Sequence, residues 1–230
     1  GWDGKKRFLS SKGKFNSGLL ADILEDLAKI GCTPEIVRDW KTISPKEFKT
    51  ELGNFKLFDY QNKAVTLAIK QERALIISPT GSGKTLIIAA LLTAFPTSKI
   101  VILFDERSIL IQTYEYLVNE CKFRNIGLCF GGDYKYGEIM LCTVQSIDKI
   151  LDTHLNQSEV LIVDEVHKFC RGEVSVAAIQ SFPNAQYRFG FTATLPDDII
   201  GQLTLKGAFG NVIQTKTTQE LIKDKQILNE

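Results

Sequence analysis

Eight consecutive residues, Ser78-Pro79-Thr80-Gly81-Ser82-Gly83-Lys84-Thr85, have the types and spacing of a phosphate cradle. Gly81 and Gly83 carry no Cβ, so the backbone can turn tightly and aim its N–H groups at phosphate oxygens. Lys84 adds a charge that reaches the β- and γ-phosphates, and Thr85 a hydroxyl suited to Mg²⁺. The usual pattern opens on glycine, where this chain has Ser78. A plain Gly-Ser turn between a strand and a helix shares part of this signature; the flanks favour the cradle. The apolar run Ala74-Leu75-Ile76-Ile77 leads in and Leu86-Ile87-Ile88-Ala89-Ala90-Leu91-Leu92 leads out. The loop therefore opens a helix, whose unpaired N–H groups and dipole add to the attraction for anions.

A second constellation lies further on. Val160-Leu161-Ile162-Val163 is a strand-like run that ends in Asp164-Glu165-Val166-His167. Carboxylates directly after a buried strand fall at the carboxyl edge of a sheet, where α/β proteins bind ligands. Asp164 is placed to hold Mg²⁺, directly or through water, and Glu165 to orient and deprotonate an attacking water. Acids also open helices for purely structural reasons; beside a lysine-bearing phosphate loop, the pair matches what phosphoryl transfer requires. A third run, Phe189-Gly190-Phe191-Thr192-Ala193-Thr194, reads as another buried strand ending in two hydroxyls.

In this order, the loop, Asp-Glu-x-His and Thr-Ala-Thr resemble motifs I, II and III of superfamily 2 helicases. That resemblance implies ATP and Mg²⁺ as cofactors, with Lys84, Asp164, Glu165, His167, Thr192 and Thr194 catalytic. Nucleotide binding would fall to Gln61 and to Pro79, Thr80, Gly81, Ser82, Gly83, Lys84 and Thr85, with Thr85 and Asp164 on the metal. Asp59-Tyr60-Gln61 resembles the segment in which the glutamine reads the adenine edge; the arginine common just before it is Phe58 here. Arg107 and Ser108 resemble motif Ia, except that Asp105-Glu106 replaces the usual Pro-Thr, and two acids repel a phosphate backbone. Gly131-Gly132 resembles motif Ib, and Thr143, Gln145 and Ser146 resemble the Thr-x-Gln-Ser segment that touches a nucleic-acid strand. His167 and the two threonines would link phosphate state to those strand contacts.

The opening Gly1-Trp2-Asp3-Gly4-Lys5-Lys6-Arg7-Phe8-Leu9, the linker before Tyr60-Gln61 and the closing Thr217-Thr218-Gln219-Glu220-Leu221-Ile222 are similar to the phage UvsW-type branch-migration helicases. The resemblance implies an ATP-dependent helicase or translocase on branched DNA, in phage recombination, replication or repair. It makes Lys5, Lys6 and Arg7 nucleic-acid contacts. The charge cluster itself fits either a duplex-binding hairpin or a solvated face over a small aromatic core. Nothing after Thr194 resembles a second RecA-like motor domain with its Gln-x-x-Gly-Arg-x-x-Arg segment, so the expected partners are DNA, single-stranded, duplex or branched, and that second domain. Alone, the chain is expected to be nearly inactive. Other superfamily 2 motors (an RNA helicase or a restriction-enzyme translocase subunit) and a non-motor nucleotide-binding module are the alternatives.

These groups need a scaffold. Strand-like runs near 74–77, 100–104, 126–130, 139–143 and 160–163, at 189–194 and at 212–213 alternate with helical stretches. Alternation of this kind predicts a mostly parallel sheet with helices on both faces. The fold class expected is α/β, a RecA-like P-loop domain over 51–230, preceded by a small α+β appendage with its linker over 1–50. Within the appendage, Ser17 is expected to cap a helix through Ile30, Glu35-Ile36-Val37 to form a short strand, and one helical turn to follow Pro45. Asp59 is expected to cap a helix through Lys70, and Ser108 to open another.

The 230 residues are 44% hydrophobic, enough for a sizeable core, and carry a net charge of +1, so no overall basic field argues for nucleic acid. The five cysteines, Cys32, Cys121, Cys129, Cys142 and Cys170, show no paired spacing, which predicts reduced thiols and no zinc site. No run has the length of a membrane span and no signal peptide is evident, so a cytoplasmic location is expected, that of the bacterial host if the chain is phage-encoded. Met140 is the single methionine, so the front of the chain is expected to be truncated.

Overall fold

The computed structural model describes residue 10 and residues 12–37, 42–150, 152–170 and 178–224. The expected hairpin with Lys5, Lys6 and Arg7 lies outside the described residues.

Helix α1 (Leu20–Lys29) follows a 3-10 turn, Ser17–Leu19. A small hairpin of β1 (Glu51–Leu52) and β2 (Phe55–Lys56) leads to α2 (Asp59–Gln71), β3 (Arg73–Ile77) and α3 (Lys84–Ala94). Next come β4 (Ile100–Phe104), α4 (Arg107–Glu115), β5 (Ile126–Phe130), β6 (Asp133–Lys135), β7 (Ile139–Thr143), α5 (Asp152–Gln157) and β8 (Val160–Val163). The described chain closes with β9 (Tyr187–Thr192), α6 (Ile199–Phe209), β10 (Asn211–Gln214) and α7 (Thr218–Lys223).

Eight strands form one sheet in the order β10-β3-β9-β8-β4-β7-β5-β6, and every pairing except β5–β6 is parallel. Strands β4 and β8 are buried along their whole length, as the continuous apolar runs of a parallel interior require. Alternate residues face opposite layers. Ile76, Ile102, Ile162 and Phe189 pack with Val65 of α2, Ile87 and Leu91 of α3 and Leu110 of α4. Leu75, Val101, Leu161 and Val163 pack with Phe169, Phe182 and, from α6, Leu205 and Phe209. Helix α3 is apolar on every side and almost wholly buried, so its amino end is rigidly placed.

Several local expectations are corrected. Ser17 sits inside the 3-10 turn and caps nothing, because docking dictates this entry. A Cβ on Gly18 would lie 2.2 Å from the Lys206 carbonyl oxygen, and Asp22 Oδ2 pairs with Lys206 Nζ at 2.6 Å. Glu35-Ile36-Val37 forms no strand; Ile36 and Val37 are exposed and no described strand pairs with them. The helical turn after Pro45 is replaced by an extended strap whose donors bond outward. Ile43 N–H donates to Gln186 Oε1 (3.0 Å), Lys46 N–H to the Ala94 carbonyl (2.8 Å) and Lys49 N–H to Thr93 Oγ1 (2.9 Å). The β1–β2 hairpin, its turn made by Gly53 at φ 60°, begins inside the polar, mixed-charge stretch 39–54 that reads in the sequence as a linker. Asp59 is the first residue of α2 rather than its cap, α4 begins at Arg107, and β9 stops at Thr192. Helix α6 went unread, and it covers one face of the sheet.

Cys121, Cys129 and Cys142 are buried free thiols, and Cys32 is an exposed one. Among the described residues no helix is long and apolar enough to cross a membrane.

Candidate functional site

The phosphate loop is fixed from three sides. At its root, Ser78 N–H donates to the Thr192 carbonyl (2.9 Å), and the Ile77 carbonyl accepts from both Thr215 N–H (3.1 Å) and Thr215 Oγ1 (2.8 Å). Inside it, the Ser78 and Ser82 hydroxyls are 2.6 Å apart, and Ser82 Oγ donates to the Pro79 carbonyl (2.6 Å). The serine in place of the usual glycine thus pins the loop by a hydrogen bond. From outside, Tyr60 Oη (2.7 Å) and Gln61 Nε2 (2.9 Å) both donate to the Ser82 carbonyl. Gly83 has φ 75°, and a Cβ there would stand 2.4 Å from Gln61 Nε2. Left-handed backbone and close approach together leave glycine as the one residue that fits.

Gln61, expected to read an adenine edge, is 1% exposed, and its Oε1 accepts from Phe58 N–H (2.9 Å). Its amide therefore joins the start of α2 to the phosphate loop, with one N–H and one lone pair left over.

Strand β8 delivers the acids. Asp164 N–H donates to the Leu103 carbonyl of β4 (2.9 Å). Lys84 Nζ lies 2.9 Å from Asp164 Oδ1 and also pairs with Glu165 Oε1. Burial pushes the Asp164 carboxyl above its ordinary range, opposed by the Lys84 charge. Burial would lower the Lys84 ammonium, but the Asp164 charge and the Glu165 hydrogen bond override it and hold it above its usual value. Glu165 has φ 49°, a left-handed conformation that costs a non-glycine residue about 1–2 kcal/mol. That twist aims its carboxylate between Lys84 and His167, whose Nδ1 lies 3.3 Å from Glu165 Oε2. His167 Nδ1 is also 2.9 Å from Thr192 Oγ1, and Thr192 Oγ1 donates to the Thr194 carbonyl (2.6 Å). With that hydroxyl proton committed, the hydrogen bonds assign the imidazole proton to Nδ1. One chain of contacts thus runs from Lys84 to Thr194.

Lys84, Asp164, Glu165 and His167 line one end of a cleft of about 840 Å³, with Thr192 buried behind His167. Its other end is aromatic, which the sequence reading missed. Phe58 stacks on Tyr60 with centroids 5.9 Å apart, and Phe55 meets Tyr116 at 5.4 Å. The cleft suits a molecule with a flat ring at one end and a run of phosphates at the other. As a test of fit for Mg²⁺, Asp164 Oδ1 is buried and makes its ion pair but no hydrogen bond, and Thr85 lines the same cleft. A carboxylate and a hydroxyl are the hard oxygen donors Mg²⁺ prefers. Among the described residues no group of three or more His, Cys, Asp or Glu could cage a metal, so phosphate oxygens and water would complete its shell.

Among the described residues, those expected to touch nucleic acid also lie at the carboxyl edge, at the ends of the adjoining strands β4, β7 and β5. Arg107 and Ser108 are exposed at the start of α4, with the Arg107 guanidinium 4.6 Å from the Phe130 ring centre. Gly131 and Gly132 are exposed with open space around them. Thr143 and Ser146 are buried, their hydroxyls bonded to each other at 3.2 Å, whereas Gln145 is exposed and donates to the Asp105 carbonyl (3.3 Å).

The chain is similar to known proteins along nearly its whole length. The chain is 24% identical over 249 aligned positions to the ATP-dependent DNA helicase uvsW of Enterobacteria phage T4, covering 98% of this chain and 49% of that protein. It is 28% identical over 205 positions to the DNA 3'-5' translocase XPB2 of Sulfurisphaera tokodaii, covering 88% and 45%. It thus spans about half the length of either relative. The crystal structure of T4 UvsW superposes with a TM-score of 0.74 at 21% identity, over 96% of this chain and 49% of that one. The Pyrococcus furiosus Hef helicase domain gives 0.58 at 17% identity, over 67% and 37%. Residues 54–197, well over half of the chain, match the family described as type III restriction enzyme, res subunit (ResIII), and the protein belongs to that family.

Proposed function

We propose that this chain is the ATP-binding half of an ATP-driven DNA motor that remodels branched DNA. The observation that carries the reading is the meeting of Lys84, Asp164, Glu165 and His167 in one nucleotide-sized cleft, with Thr192 buried behind His167. The terminal phosphate of ATP takes over the Lys84 ammonium from the two carboxylates. Glu165, released from that ion pair, orients a water and accepts its proton as the water attacks in line. When bound with the nucleotide, Mg²⁺ supplies charge neutralisation across the phosphates, with Thr85 and Asp164 the residues that would hold it. His167 passes the change at Glu165 to Thr192, whose carbonyl anchors Ser78 and whose hydroxyl holds the Thr194 carbonyl.

DNA lies across the carboxyl edge on Arg107, Ser108, Gly131, Gly132 and Gln145, with Thr143 and Ser146 shaping the loop beneath. Lys5, Lys6 and Arg7 supply further cationic contacts to DNA. A second motor domain completes the cleft with the arginines that stabilise charge in the transition state. Similarity to UvsW and XPB2, both named as acting on DNA, supports DNA over RNA.

The test is ATP turnover by the complete polypeptide with single-stranded, duplex, forked and four-way DNA and with RNA. Forked or four-way DNA should stimulate most; stimulation by RNA alone would replace this reading with an RNA motor. In the same protein Glu165→Gln should keep ATP binding and lower turnover by about 10²–10⁴. Unchanged turnover would reduce the site to a nucleotide-binding scaffold.

A further inference from the structure

Asp105-Glu106 stands where a strand-contacting loop ordinarily has no charge, and two acids beside Arg107 oppose phosphate binding. The fold supplies their counter-charge. Lys168 Nζ reaches both carboxylates, 3.0 Å from Asp105 Oδ2 and 2.6 Å from Glu106 Oε1. Lys168 belongs to the 3-10 turn Val166–Cys170 that follows the acid pair, and its N–H donates to the Glu165 carbonyl (3.0 Å). On the far side, Gln145 Nε2 donates to the Asp105 carbonyl (3.3 Å). The loop between β4 and α4 is therefore held by its side chains to the Glu165 turn and by its backbone to the loop after β7. Arg107 follows directly and opens α4.

We infer that Lys168 is a positioning residue that clamps the Asp105-Glu106 loop to the catalytic turn, so that DNA seated on Arg107 and Gln145 is felt at Glu165. The inference rests on the motor reading above. Lys168 has two effects. It offsets one of the two negative charges and so weakens the acids' repulsion of phosphate, and it gives the turn and the loop one shared constraint. Removing the lysine abolishes both effects; neutralising the acids abolishes the clamp alone. The two perturbations therefore act alike on coupling and oppositely on affinity, which a merely structural surface ion pair would not do.

The experiment uses the complete polypeptide and three variants: Lys168→Ala, the near-isosteric Asp105→Asn with Glu106→Gln, and their combination. ATP turnover is measured with and without forked DNA, and DNA affinity by fluorescence anisotropy. Turnover without DNA should stay within about twofold of the parent throughout. Stimulation by DNA should fall about five- to tenfold in each variant, the lower part of the range for coupled sites because the bridge is partly exposed. In the combination it should fall no further. DNA affinity should weaken about threefold or more in Lys168→Ala, and hold or tighten in Asp105→Asn with Glu106→Gln. Stimulation that survives Lys168→Ala, losses that multiply in the combination, or affinity weakened alike in both variants would each overturn the clamp. A parent protein that DNA does not stimulate would instead sink the motor reading.

Discussion

Replacing Lys84 by methionine separates the fold's need for an ammonium from the chemistry's need. In the cleft the Lys84 side chain is 18% exposed, Asp164 8% and Glu165 29%. Removing one partner of a fully buried ion pair costs about 3–5 kcal/mol. Residual solvent and the ability of Asp164 to take a proton reduce this to about 2–3 kcal/mol at pH 8. For a domain of this size that is about 5–10 °C in Tm. The pH dependence fixes the cause. The Asp164 carboxyl is held above its ordinary value by burial, so folding favours its protonated form. Such a group loses the fold stability as pH rises through its folded-state value. Without the ammonium that value climbs further, so the deficit of Lys84→Met should be smaller at pH 5 than at pH 8. Thermal melts of parent, Lys84→Met and Lys84→Met with Asp164→Asn across that range are the assay, and the double variant should recover most of the loss. A deficit independent of pH, or none, would refute the assignment of a buried carboxylate held by Lys84.

Gln61→Ala should strand the Phe58 N–H and loosen the Ser82 carbonyl, lowering stability by about 1–3 kcal/mol and ATP affinity about tenfold by calorimetry, through the loop rather than through the base alone. Gly83→Ala should cost at least the left-handed penalty of about 1–2 kcal/mol. Its new Cβ should also displace Gln61, so nucleotide-dependent thermal stabilisation should disappear. The 230-residue chain alone should release phosphate about 10³–10⁵ more slowly than a protein with the completing arginines in place. Brisk DNA-stimulated turnover by the chain itself would contradict that.

The central sheet was legible because each strand is a short apolar run and each chemical group sits at a strand's end. Ser78–Thr85 and Asp164-Glu165 could be placed with no knowledge of what surrounds them. The strap at 42–50 could not, because its hydrogen bonds go to Thr93, Ala94 and Gln186, which no local pattern announces. The β1–β2 turn was misread although Gly53-Asn54 is a recognisable hairpin signal. Thr143 and Ser146 read as surface contacts, yet burial turns their hydroxyls toward each other. Lys168 carried no signal of its own; its meaning depends on β4 and β8 lying side by side, which brings it to Asp105 and Glu106.

The pair of hydrogen bonds from Thr215 to the Ile77 carbonyl has a mechanical consequence. The backbone leaving β10 is tethered one residue ahead of Ser78, so tension on the segment beyond it reaches the root of the phosphate cradle without crossing the rest of the sheet. A tug from that direction and a tightening around a triphosphate load the same carbonyl.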